Sequence, residues 1–395
     1  MSSVSRCLLQ SWKCFPSRSM PLLASIRWMS SLHEINAKNL TIERTENPKP
    51  KPAEKDLIFG HNTTDHMLTI EWHKDIGWKE PRIGPIRDLQ ISPVAKVFHY
   101  SLETFEGMKA YKGTDGRIRL FRPQLNMERM NKSAQSLGLP GFSGDQFLEC
   151  LKELLKTDMD WVPESKNASL YIRPTMIGTD PTLGVKTSKS ALLYIILCPV
   201  GAYFTTGVLN PIALWADTEF IRAWPGGLGW AKVGGNYGPT VAPLNRAEKH
   251  GCQQVLWLYG KEHSVTEIGT MNIFMYWINE NGEKELRTPP LNGLILPGIT
   301  RLSLLDIARQ WDGIKVVEED FTMKDVVQAS KEDRLLEIFG AGTACVVSPV
   351  DKILYKDHEI LLPTASEGPS IAERLYRQII DIQYGIIDSD WSIPV

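Results

Sequence analysis

From Trp224 to Pro239 the chain reads Trp-Pro-Gly-Gly-Leu-Gly-Trp-Ala-Lys-Val-Gly-Gly-Asn-Tyr-Gly-Pro, so that one lysine, Lys232, lies among six glycines and several bulky apolar groups. Glycines let a backbone bend tightly and come close to a ligand. Desolvation by Trp230 and Val233 pushes an amine toward its neutral, nucleophilic form. That is the setting of a Schiff-base lysine. The alternative is a surface loop whose lysine is simply solvated.

The rest of the chain is long enough to bury large cores. Its 395 residues, 43% hydrophobic and 23% charged, predict two domains. Forty-four basic against 46 acidic residues leave no electrostatic footprint for nucleic acid, and a small-molecule enzyme fits this balance better. No apolar run reaches membrane-spanning length. Cys7, Cys14, Cys150, Cys198, Cys252 and Cys345 show no paired spacing, which argues against a disulfide framework or a zinc site and for a reducing compartment.

Residues 1–30 stand apart in composition. Arg6, Lys13, Arg18 and Arg27 are spread among serines and apolar residues, and no acid precedes Glu34, a mitochondrial transit pattern with cleavage expected between Trp28 and Leu32. Lys13, Pro16 and Arg18 interrupt the continuous apolar centre that a secretory signal needs. Residues 31–56, with Asn47-Pro48-Lys49-Pro50-Lys51-Pro52, read as an extended, flexible lead-in, so regular structure is expected from Leu57.

A smaller α/β unit is expected over 57–200. Met67 to Trp72, Phe105 to Tyr111 and Ile118 to Phe121 read as antiparallel strands, and Pro123 opens a helix running to Leu137 that carries Arg129 off its apolar stripe. A second helix near Gln146 to Thr157 is plain core. On the strand Ser169 to Pro174, Tyr171 and Arg173 share a face, which fits either a lined cavity or a sheet edge with a solvated arginine. A linker over 201–210 leads to a larger unit, 211–395, in which strands alternate with short helices. There Val255 to Tyr259 and Ile273 to Ile278 read as a hairpin-like arrangement interrupted by Thr266-Glu267-Ile268-Gly269-Thr270. A carboxylate amid Ile268, Met271 and Ile273 is costly unless paired. Glu267 therefore wants a cation, which either an arginine or a protonated ring nitrogen would supply.

Two further stretches are suited to an anion. Leu296-Pro297-Gly298-Ile299-Thr300-Arg301 opens an amphipathic helix with its free N–H groups and positive dipole end facing whatever precedes it. Phe339-Gly340-Ala341-Gly342-Thr343-Ala344 follows a strand at Leu335 to Ile338 and offers a nest of backbone N–H groups. A sequestered lysine, a buried acid and two anion cradles together specify a phosphorylated cofactor that forms a Schiff base and carries a basic ring nitrogen, and pyridoxal 5′-phosphate is that cofactor. No metal is expected.

Lys232 within Gly-Gly-Asn-Tyr-Gly-Pro, Thr266 to Phe274, Leu296 to Arg301, Gly342-Thr343-Ala344, Phe105 to Lys109 and Arg122-Pro123 closely resemble the branched-chain amino acid aminotransferases, of the mitochondrial type once the leader is counted. The resemblance runs from about Leu57 to the C-terminus. It implies a mixed α/β, two-domain fold type IV architecture (that of the D-amino acid aminotransferases), a homodimer and the mitochondrial matrix. It also implies a ping-pong transfer of the amino group of leucine, isoleucine or valine to 2-oxoglutarate. Lys232 would hold the cofactor and shuttle the proton, Glu267 would keep the ring nitrogen protonated with Thr270 beside it, and Tyr237 would bond the ring oxygen. Arg129, the N–H groups of Ile299 and Thr300, and the Thr343 hydroxyl would hold the phosphate. Phe59, Tyr100, Tyr171 and Arg173 would line the substrate pocket, with Tyr100 and the N–H groups near Thr343 and Ala344 taking the carboxylate. Other readings are a D-amino acid aminotransferase, an aminodeoxychorismate lyase, or a binding protein on the same fold that has lost its chemistry. One departure stands out: some family members carry a Cys-x-x-Cys redox pair where this chain reads Cys345-Val346-Val347-Ser348.

Overall fold

The computed structural model describes residues 33–165, 167–201, 209–363 and 370–395. The predicted leader and the body of the predicted linker, 202–208, lie outside the described residues.

The described residues form two sheets, of ten and nine strands. In the first, His66–His73, Ser190–Val200, Ser169–Gly178, Met108–Lys112 and Ile118–Phe121 are antiparallel neighbours. Helices Pro123–Ser136 and Gly144–Thr157 cover one face of it. Their Met127, Met130, Ala134, Phe147, Leu151 and Leu154 pack into one core with Leu68, Ile70, Leu193 and Ile195 of the strands. Each of these side chains other than Ala134 contributes ~1.5–3 kcal/mol by leaving water. Gly144–Thr157 starts sharply because the Ser143 side chain accepts the N–H of Gln146.

The second sheet is mixed: Ile212–Asp217 runs parallel to both Gln254–Tyr259 and Val346–Tyr355, while Met271–Ile278 and Leu335–Gly342 pair antiparallel. It has a core on each face. Helix Met323–Lys331, capped reciprocally by Thr322 and Asp325, contributes Met323, Val326 and Ala329 to one. Ile299–Ala308 and Ile371–Gln383 contribute Leu304, Leu305, Leu375 and Ile379 to the other, which also takes in Tyr111 and Phe121 of the first sheet.

Four local expectations are corrected. Phe105 to Tyr111 is two strands, Glu103–Phe105 and Met108–Lys112, broken at Glu106-Gly107, where a Cβ on Gly107 would fall 2.0 Å from Tyr171 Oη. The interruption at Thr266–Thr270 is mostly strand: Ser264–Ile268 pairs with both Gln254–Tyr259 and Met271–Ile278. Strand Leu335–Gly342 runs four residues past Ile338, so the supposed nest begins only at Thr343. Regular structure also begins before Leu57. Ile35 is buried, Thr41–Ile42 pairs with Arg82–Pro85, Thr45 donates its N–H to His66 Nε2 and Lys49 donates its N–H to Asp65. Side-chain acceptors on the folded unit thus hold a stretch that has little apolar periodicity of its own. The chain's end is held as well, since Ser392–Pro394 pairs with Ile118–Phe121.

Candidate active site

The glycine-rich run brings Lys232 against the first sheet. Its backbone N–H donates to Ser133 Oγ at 2.9 Å, and its carbonyl accepts from Thr104 Oγ1 at 2.9 Å and from the Phe105 N–H at 3.2 Å. Gripped at both backbone groups, the residue projects a half-buried side chain whose Nζ lies 3.0 Å from Tyr237 Oη. The same amine is 4.6 Å from the Phe105 ring centre and 4.9 Å from that of Tyr237.

Glu267 is almost wholly buried. One oxygen accepts the Leu296 N–H at 2.7 Å and Asn272 Nδ2 at 3.2 Å, while the other faces Arg222 Nε at 2.9 Å. Burial pushes its carboxyl above the ordinary value, with Arg222 and the Leu296 N–H pulling it back. Arg222 was not singled out from sequence. The signal was the cost of burying Glu267, which asked for a cation without saying where along the chain it would come from.

Helix Ile299–Ala308 begins at Gly298 with no side-chain cap, so its first N–H groups remain for a bound anion. Gly298 is required there: a Cβ would lie 2.0 Å from Asn272 Oδ1. Arg129 is buried and partly engaged, with Nε and Nη2 on Glu106 at 2.7 and 2.8 Å and Nη1 on the Pro297 carbonyl at 3.0 Å. Three of the five guanidinium N–H donors are thereby used, and two remain. Burial opposes the ionisation of Glu106, but Arg129 overcomes it and holds that carboxylate below its ordinary value. Glu106 is the second functional partner that sequence reasoning passed over.

Tyr171 and Arg173 do not sit at a sheet edge. Their strand is flanked by Ser190–Val200 on one side and by Glu103–Phe105 and Met108–Lys112 on the other. Arg173 Nη2 donates to Tyr171 Oη at 3.2 Å, its Nε is buried without a partner among the described residues, and its guanidinium lies 4.8 Å from the Phe105 ring. Phe59 meets Tyr171 edge-on at 4.8 Å.

One cavity, of about 320 Å³, gathers these groups. Lys232, Tyr237, Thr270, Arg129, Ile299, Thr300, Thr343, Ala344, Phe59, Tyr171 and Arg173 all line it. Glu267 stands behind its wall, bonded to the lining residues Asn272 and Leu296. Tyr100 is not brought to it. It ends the short helix Lys96–Tyr100, lies 36% exposed and donates its hydroxyl to the Leu183 carbonyl. Behind the Thr343-Ala344 turn, the buried Lys109 donates from Nζ to the Ala344 carbonyl at 2.7 Å. Burial draws this amine down to about 8, against the opposing influence of Cys345. Among the described residues no group of His, Cys, Asp and Glu could hold a metal ion, and no helix is long and apolar enough to cross a membrane.

Residues 103–353 match the model of the amino-transferase class IV family. The chain is 53% identical over 359 residues to the cytosolic branched-chain-amino-acid aminotransferase of Ovis aries, covering 91% of this chain and 93% of that protein. It is 51% identical over 375 residues to the mitochondrial enzyme of that name from Mus musculus, covering 95% of each. Among solved structures it superposes on the branched-chain aminotransferase of Thermoproteus uzoniensis crystallised with norvaline, with a TM-score of 0.66 at 23% identity, over 83% of this chain and 99% of the other.

Proposed function

Because this chain belongs to the class IV aminotransferases, among the branched-chain-amino-acid aminotransferases, we propose how its own residues divide the work of that reaction. It is a transaminase that moves the amino group of L-leucine, L-isoleucine or L-valine to 2-oxoglutarate and uses pyridoxal 5′-phosphate. The residues present fit that group: an amine in a walled cavity, an uncapped helix N-terminus, an arginine with donors to spare, and a buried acid behind the wall. When bound, pyridoxal 5′-phosphate supplies a carbonyl carbon that captures an amino group and a ring that accepts the electron pair left when the Cα–H bond breaks.

Lys232 would hold the cofactor through its amine and would carry a proton at Nζ to and from the substrate Cα. Tyr237, 3.0 Å away, holds that amine in place and exchanges a hydrogen bond with it. Glu267, paired with Arg222, would hold a proton on the ring nitrogen, with Thr270 beside it. Arg129, the N–H groups of Ile299 and Thr300, and the Thr343 hydroxyl take the phosphate. Phe59, Phe105 and Tyr171 make an aromatic wall for an aliphatic side chain. Arg173 is the donor for the second carboxylate of glutamate, and the turn at Thr343 and Ala344 takes the first.

The observation that carries this assignment is the pairing of Lys232 Nζ with Tyr237 Oη inside one cavity with the uncapped helix N-terminus. Assay of L-leucine against D-alanine, each with 2-oxoglutarate, tests it. Transfer from L-leucine alone is expected, and turnover of D-alanine at a comparable rate would assign the pocket to D-amino acids. We further propose a smaller unit at 57–200 joined to a larger one at 211–395, a homodimer, and import into mitochondria directed by residues 1–30. The spread of basic residues through an acid-free leader supports import. A reporter fused behind residues 1–32 is expected in the matrix, and a cytosolic reporter would refute that location.

A further inference from the structure

A second cavity, of about 590 Å³, shares no lining residue with the catalytic one. Three elements of the larger sheet's surroundings wall it: the turn between strands Gln254–Tyr259 and Ser264–Ile268, helix Met323–Lys331, and the turn joining Val346–Tyr355 to His358–Leu361. Four lysines line it, Lys261, Lys324, Lys331 and Lys356, against the acids Glu262 and Glu332. Glu332 is already taken by Arg334 at 2.6 Å and by Gln328. None of the four ε-amines has an ion pair or hydrogen bond among the described residues. Other lysines of the protein, such as Lys79 with Glu71, Lys112 with Glu164 and Lys315 with Glu283, are paired. Lys356 Nζ lies 5.2 Å from the Tyr355 ring centre, and with four lysines against two acids the recess is net positive in a chain that is near neutral overall.

The recess also has a built side. His263 Nδ1 and Tyr355 Oη are 2.6 Å apart, with the rings edge-on. His263 is held at φ 52°, a left-handed conformation that disfavours non-glycine residues, while its carbonyl accepts the Met323 N–H at 3.0 Å. Met323 is fully buried, and Val327 and Tyr355 add apolar surface beside the cations.

We propose that this cavity binds a small, multiply phosphorylated molecule, its phosphates held by Lys261, Lys324, Lys331 and Lys356 and the rest of it lying against Tyr355 and Val327. Lysine is a compact point charge suited to phosphate oxygens. A volume of several hundred Å³ is that of a small-molecule site, and the chain is near neutral overall, unlike the strongly basic domains that bind nucleic acid.

Calorimetric titration of the holoenzyme, with its cofactor site filled, by ATP, inorganic tripolyphosphate, adenosine and citrate tests this. ATP and tripolyphosphate are expected to bind and adenosine is not, with affinity falling as salt is raised. Tighter binding of ATP than of tripolyphosphate identifies a nucleotide as the source, and equal binding identifies the phosphate chain alone. Each exposed charge contact is worth up to about fivefold, so Lys324→Glu with Lys356→Glu weakens binding by about tenfold or more. That double variant keeps wild-type leucine transamination, and Lys38→Glu, an exposed lysine outside the cavity, leaves binding unchanged. Full affinity in the double variant, competition by L-leucine, equal binding of citrate, or binding of oligonucleotides that tightens with their length would each overturn the proposal.

Discussion

Arg222 Nε stands 2.9 Å from Glu267 Oε2, and both side chains are closed to solvent. Breaking a buried ion pair from one side leaves an uncompensated charge and costs about 3–5 kcal/mol. Burial already pushes Glu267 upward, and Arg222 is the largest influence opposing it. Arg222→Met should therefore lower stability in urea titration and lower kcat together, because a neutral Glu267 no longer holds a proton on the ring nitrogen. Combining it with Glu267→Leu should recover much of the stability and none of the rate. A double variant as unstable as the single one would show that Arg222 acts through Gly229 and Leu294, whose carbonyls it also meets.

Lys232→Ala should abolish leucine transamination and alter the visible band of the holoenzyme, because any cofactor kept by the proposed phosphate ligands is no longer joined to an amine of the protein. Tyr237→Phe removes a hydroxyl 3.0 Å from that amine and keeps the ring that meets Phe105 edge-on at 4.8 Å. Loss of one hydrogen bond to a charged group costs about 1.5–3 kcal/mol. A fall in kcat of about 10- to 100-fold, with a shifted pH profile, is expected from stopped-flow half-reactions. An unchanged rate in Tyr237→Phe would remove that residue from the mechanism.

The elements that hold the site were legible where one physical rule decided them. Helix Pro123–Ser136 followed from a proline at its first turn and from apolar spacing, and the Gly298 start of Ile299–Ala308 followed from a proline-glycine pair before an apolar stripe. Lys232 and Glu267 were legible because glycine packing and buried charge each demand a reason. Arg222 and Glu106 were not, since each answers a need created by a residue far along the chain: 45 positions in one case and 23 in the other. Tyr100, expected from the family resemblance alone, ends a five-residue helix outside this cavity, and nothing in the local sequence says which way so short a helix will aim it.

Cys345 should be a poor redox sensor in this chain. The position that could pair with it is Ser348, buried with its hydroxyl unpartnered among the described residues. Burial pushes the Cys345 thiol up to about 12, so almost none is thiolate at neutral pH, and thiolate is the form that oxidises. Brief peroxide treatment is expected to cost less than about twofold in activity. Mass spectrometry should find no intramolecular disulfide at Cys345. A loss of activity that a thiol reductant reverses, with a disulfide mapped there, would contradict this account.

Lys109 should give the enzyme a basic-limb dependence on pH. It reaches from the first sheet to the Ala344 carbonyl at 2.7 Å and so holds the turn proposed to take the substrate carboxylate. Drawn down to about 8, it is charged below that pH and neutral above it, whereas Cys345, pushed up to about 12, stays an uncharged thiol across the range. The KM for 2-oxoglutarate should therefore rise severalfold between pH 7 and 9 in the wild type. Lys109→Arg keeps its charge throughout and should flatten that rise, while Lys109→Met should show the high KM at every pH. Stability carries the opposite sign. Between about 8 and the ordinary lysine value near 10.4 the unfolded chain binds more protons than the folded one, so the wild type should gain stability relative to Lys109→Met as pH climbs through that window. Parallel pH profiles of KM in the wild type and Lys109→Met would place the titrating group elsewhere.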